Sequence, residues 1–136
     1  DAFPFPVTAI VDRINFSNDL ATASPRGSLT TARKFLAATG NSNYGWFGGG
    51  NPSGAVVDRI DFSNDSTTAS PRGPLSLARN QLAAIGNSNY GWFGGGNPSG
   101  AVVDRIDFSN DSTTASPRGP LSSARYGLAA TSNTNK

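Results

Sequence analysis

The sequence predicts an all-β fold built from one four-stranded unit used several times. Three observations carry this. Val57-Asp58-Arg59-Ile60-Asp61-Phe62 returns 46 residues later as Val103-Asp104-Arg105-Ile106-Asp107-Phe108, and precedes itself, with one change, as Val11-Asp12-Arg13-Ile14-Asn15-Phe16. Each period holds four short strand-like segments separated by turn residues. No segment long enough for a helix shows helical spacing of apolar residues. Four strands per unit at a period in the forties is the mark of propeller blades.

The elements follow in order along the second period. Leu82-Ala83-Ala84-Ile85 is a short apolar strand after Ala78-Arg79, and Gly86-Asn87-Ser88-Asn89 turns the chain. Tyr90-Gly91-Trp92-Phe93 is an aromatic strand that runs into three glycines. Asn97-Pro98-Ser99 lies within the Gly-rich loop that follows. Val102 to Phe108 alternates, with Val102, Asp104, Ile106 and Phe108 on one face, and so forms the third strand. Ser109-Asn110-Asp111 is the next turn. Ser112-Thr113-Thr114-Ala115-Ser116 is expected as the fourth strand, stopped by Pro117-Arg118-Gly119-Pro120.

Composition removes several function classes. The 136 residues contain no Cys, His or Met, and all nine acidic residues are Asp. Transition-metal sites of the usual kind need Cys or His, so no metal and no cofactor is expected. Nucleophilic triads built on a His base or a Cys nucleophile are excluded as well. An Asp pair could serve glycoside hydrolysis, but nothing distinguishes one pair from its copies, so no catalytic residue is assigned and an enzyme is not expected. The net charge is only +2, and the nine Arg are spread evenly, so no nucleic-acid partner is expected. No apolar run approaches membrane-spanning length. The sequence begins without Met or a signal-like segment, which reads as a processed product, an engineered array or part of a longer protein.

The order of these features resembles a kelch repeat. Ala78-Arg79 stands where kelch units commonly have Ala-Arg, and Trp92-Phe93-Gly94-Gly95-Gly96 matches the kelch double glycine. The tryptophan of the outer kelch strand is missing, since Ser112 to Ser116 carries only small residues. Segments close to "DRIDFSND", "GPLSLAR" and "YGWFGGG" are similar to kelch-like arrays in marine bacteriophages, those of cyanobacteria above all. That resemblance implies a virion or fibre component, placed on a virion or extracellular surface.

Residues 1–136 are expected to form one propeller segment of three 46-residue repeats: two full blades and one split between the chain ends. The split blade would draw on Val11–Ser24 and Arg125–Thr131, with Phe3-Pro4-Phe5-Pro6 replacing the lost aromatic strand as an edge segment. A propeller must close, and open strand edges favour association with another copy. The expected partner is therefore the chain itself, as a homodimer of six blades or, second, a trimer of nine. Glycans or other virion proteins are further possible partners.

Two sets of residues are candidate ligand sites. Arg33, Arg79 and Arg125 enter the innermost strand, and the repeats differ most just after them, at Lys34, Asn80 and Tyr126. These six would line a central channel suited to phosphate, sulfate or carboxylate, although internal hydrogen bonding by the arginines is the preferred account. Trp46 and Trp92 could stack on sugars, against the simpler role of filling space between blades. Arg59 and Arg105 are expected to pair with Asp across neighbouring blades. Asn64-Asp65-Ser66 and Asn110-Asp111-Ser112 match the glycosylation sequon but read more simply as turns. The function expected is a non-enzymatic, self-assembling structural or adhesive propeller. The alternatives are a multivalent lectin-like propeller and an engineered repeat.

Overall fold

A computed structural model describes residues 6–133. The chain is all-β: ten strands, no helix among the described residues, and three antiparallel sheets. This arrangement is compatible with a β-propeller-like fold. β1 (Asp12–Arg13) and β2 (Ser24–Pro25) form an N-terminal pair. β3 (Ala37–Gly40), β4 (Tyr44–Gly48), β5 (Val57–Asp61) and β6 (Ser70–Arg72) form the middle sheet, in sequence order. β7 (Ala83–Gly86), β8 (Tyr90–Gly94), β9 (Val103–Asp107) and β10 (Ser116–Arg118) form the C-terminal sheet in the same way. Register repeats too, with Trp46 opposite Arg59 and Trp92 opposite Arg105.

The fourth strand differs from its expected position. Ser112–Ser116 is not the strand; the ladder runs from Ser116 to Arg118, through Pro117. β10 is an edge strand, so the missing Pro117 N–H can face away from the ladder at no loss. Thr113 and Thr114 instead belong to the connection after Asp111, where the Thr113 hydroxyl donates to the Asn110 carbonyl at 3.4 Å. Of the segments expected to share a unit, Val11–Ser24 contains β1 and the first residue of β2, while residues 125–131 carry no strand. The edge segment expected at Phe3-Pro4-Phe5-Pro6 lies, apart from Pro6, outside the described residues.

Burial follows from strand alternation. In β9, Asp104 and Ile106 turn inward and Arg105 and Asp107 turn away. Between the middle and C-terminal sheets the core is Trp46, Val57, Leu75, Leu82, Phe93, Ile106 and Ala115. Between the N-terminal pair and the middle sheet it is Leu29, Ile60 and Ala69, with Val11, Leu36 and Phe47 packed against them. The second cluster is the first moved back one repeat, and among the described residues no tryptophan takes the place of Trp46.

Glycine is required where sheets meet. Gly73 donates its N–H to the Asp111 carbonyl, and a Cβ there would lie 1.8 Å from the Thr113 carbonyl oxygen. Gly27 meets Thr67 in the same way. Gly119, the third of the series, has nothing within 4 Å. Among the described residues, the C-terminal sheet is thus open at Gly119, where the other two sheets are covered at the matching glycine.

Candidate functional site

The first expected site is a row of arginines. Arg33 has no exposed side-chain surface: Nε donates to the Gly49 carbonyl at 2.9 Å, one terminal nitrogen to Asp58 at 3.0 Å and the other to the Phe47 carbonyl at 3.0 Å. Arg79 repeats this with Gly95, Asp104 and Phe93 at 2.8, 2.9 and 2.8 Å. Asp58 and Asp104 also accept from Thr30 and Ser76 respectively. Each guanidinium is committed to its own sheet, tying the entry of the first strand to the third. Arg125 is exposed, and its hydrogen-bond partner is Ser123 at 3.5 Å.

The variable positions follow the arginines directly, two of them just ahead of β3 and β7. Lys34 bridges Asn51 and Asn80 bridges Asn97 through their backbones, while Tyr126 is exposed. The residues after them, Phe35, Gln81 and Gly127, all have positive φ. Gln81 N–H donates to the Phe35 carbonyl and Gly127 N–H to the Gln81 carbonyl, both at 2.8 Å, a backbone ladder from unit to unit. The structure therefore brings 34, 80 and 126 into register along one line but does not converge their side chains with the buried guanidinium groups.

The tryptophans separate. Trp46 is fully buried, stacked on Phe108 with centroids 3.9 Å apart and planes 6° from parallel. Its indole N–H donates to Asp111 at 2.8 Å. A sugar cannot reach it, which corrects the stacking role considered for Trp46 from sequence. Trp92 lies on the open face of the C-terminal sheet, in a cleft with Ile85, Val103, Leu121 and Leu128.

Asp111 is the centre that sequence reasoning missed. It sits in the β9–β10 connection and accepts from three successive strands of the middle sheet. Trp46 of β4 and Arg59 of β5 share one carboxylate oxygen, at 2.8 and 3.1 Å; Arg72 of β6 makes a forked pair with the other, at 2.9 and 2.6 Å. Asp65 does the same for the N-terminal pair, accepting from Arg13 at 3.1 Å and from Arg26 at 2.9 and 2.5 Å. The expectation that Arg59 pairs between units thus has a definite partner in Asp111. Arg105 lies over the Tyr90 ring at 4.4 Å, and neither it nor Arg118 has a carboxylate partner among the described residues. Asp19, the first of the Asp65 and Asp111 series, is exposed near the opposite end, beside exposed Ile14, Phe16 and Leu20.

Electrostatics make these contacts acid-sensitive. Burial pushes the Asp111 carboxyl up, but hydrogen bonds from Arg72 and Trp46 and the nearby guanidinium charges outweigh it, leaving it below the ordinary 3.8. Asp65 is lowered chiefly by the Arg26 hydrogen bond. A carboxyl lowered in the folded state adds stability that is complete above its unfolded pKa and lost as pH falls through the folded one. The urea midpoint is therefore expected to hold steady down to about pH 5 and to fall below about pH 4. The gap between the parent protein and Asp111→Asn should narrow over that same fall; a gap independent of pH would refute the assignment.

No family model matches the sequence, and no curated protein matches it. Solved structures do match. One is a fungal alcohol oxidase of the AA5 family in complex with copper, at a TM-score of 0.52 and 16% identity, over 65% of this chain. The chain spans only 19% of that oxidase. A likeness at this identity concerns the fold alone.

Proposed function

We propose that this chain is a non-enzymatic building block that closes a kelch-like β-propeller by joining copies of itself. On the strength of its sequence resemblance to phage arrays, we assign it a structural or adhesive role in a virion or fibre. One observation supports self-assembly above the rest. The internal interface sets Trp46, Arg59 and Arg72 against Asp111, Phe108 and Ile106. The C-terminal sheet presents the first set again as Trp92, Arg105 and Arg118, without partners of that kind among the described residues, and the N-terminal end presents the second again as Asp19, Phe16 and Ile14. Head-to-tail docking would complete each half with the other. Exposed phenylalanine, isoleucine and leucine side chains at one end and an open indole at the other favour such burial. Two chains give six blades and three give nine, with six the favoured ring. With Trp46 buried, a sugar-binding alternative would rest on Trp92 alone.

Native mass spectrometry and light scattering test this. The expected particle is twice the 14.0 kDa chain. Arg105→Asp is expected to shift it towards monomer, and Asp19→Arg in the same chain to restore it. A protein that stays monomeric at about 100 μM, where even a weak specific interface would be populated, would overturn the proposal.

A further inference from the structure

We infer that the cleft between the N-terminal pair and the middle sheet is a preformed acceptor for a tryptophan-bearing β-strand of the Tyr-Gly-Trp-Phe-Gly type. The cleft has a volume of about 320 Å³, and its lining includes Phe47, Ile60, Phe62 and Asp65. One repeat on, the same four positions are Phe93, Ile106, Phe108 and Asp111. Those four surround Trp46: Phe108 stacks on the indole, Asp111 accepts its N–H, and Phe93 and Ile106 complete the buried cluster. Among the described residues, one such socket is thus filled and one holds no indole.

Two differences between the copies match the lack of an indole among the described residues. Phe62 is 50% exposed, whereas Phe108 is packed against the core. The Asp65 side chain is 10% exposed against 4% for Asp111. The Asp65 oxygen that accepts from Arg13 corresponds to the Asp111 oxygen shared by Arg59 and Trp46, so one acceptor position stays available. Backbone geometry agrees. In the complete sheets the third strand pairs with the aromatic strand on one side and the fourth strand on the other. β1 pairs with β2 on one side, and no strand among the described residues takes the other. An incoming Tyr-Gly-Trp-Phe-Gly strand in the β4–β5 register would set its tryptophan opposite Arg13 and its phenylalanine opposite Asp12. Main-chain bonds would supply affinity and the indole socket specificity, the logic of strand addition to a sheet edge. Each copy carries this cleft, so the inference stands independently of ring closure.

The test is direct binding of a fluorescein-labelled decapeptide with the sequence of residues 41–50 to the full chain, read by anisotropy. Saturable binding is expected. Replacing the peptide tryptophan with alanine should weaken it about tenfold or more, through loss of the buried stacked ring. Replacing the indole N–H by sulfur, as in benzothienylalanine, should weaken it about threefold or more, because the Asp65 acceptor loses its donor. Phe62→Ala, at a half-exposed site, should lower affinity while the urea midpoint stays near that of the parent. No saturation up to about 1 mM peptide would overturn the inference. So would equal affinity for the tryptophan and alanine peptides, or full affinity in Phe62→Ala.

Discussion

Replacing Asp104 with alanine is expected to destabilise the fold by about 3–5 kcal/mol, the usual loss when one partner of a buried ion pair is removed. Arg79 and Asp104 both have fully buried side chains, 2.9 Å apart. The alanine variant would leave a guanidinium with two carbonyl acceptors but no counter-charge, in a place water does not reach. It would also strip the Ser76 hydroxyl and N–H of their acceptor. Against a total stability of about 5–15 kcal/mol for a domain of this kind, the loss would consume much of the margin. Urea unfolding followed by tryptophan fluorescence measures it. The paired change Arg79→Met with Asp104→Leu should cost less than the single alanine, because it removes the buried charge together with its partner. A loss below about 1 kcal/mol for the single variant, the range of an exposed pair, would show that Arg79 reaches solvent and that the pair is not a buried fastening.

Trp46→Ala is expected to cost about 3–5 kcal/mol, and Trp92→Ala about 1 kcal/mol or less in the monomer. The two occupy the same place in identical strands, so propensity and local sequence cannot separate them. Only their neighbours differ. Removing Trp46 opens a cavity between two sheets, leaves Phe108 without its stacked partner and takes one donor from Asp111. Removing Trp92 deletes a side chain already open to solvent on one side. Urea midpoints at low protein concentration give both values. If copies dock head to tail, the Trp92→Ala penalty should grow with protein concentration, while the Trp46→Ala penalty should not. Equal penalties at all concentrations would contradict the placement of the two indoles.

The second and third strands were legible because alternation and glycine boundaries act locally. Tyr90–Gly94 and Val103–Asp107 match the expected segments to within a residue or two at each end. The fourth strand was displaced because Ser-Thr-Thr-Ala-Ser has the stronger strand propensity, while Pro117 reads as a stop. Edge position, a tertiary property, reverses that reading. Arg59 could be expected to pair between units, since a charge on a covered face needs a partner. Which aspartate it meets was hidden, because Asn110-Asp111-Ser112 reads alone as a turn or a glycosylation sequon. Nothing local marks Asp111 as the acceptor for three strands 39 to 65 residues earlier.

The sequence by itself determined the period, the strand content and the absence of thiol and imidazole chemistry. These are properties of residue order and composition, and each can be read within one repeat. Tertiary structure alone decided which copies of each residue are spent. Arg33, Arg79, Trp46 and Asp111 are buried and satisfied, while Arg125, Trp92 and Asp19 occupy equivalent positions in the open. Identical segments acquire different roles because burial depends on which neighbouring unit packs against each of them.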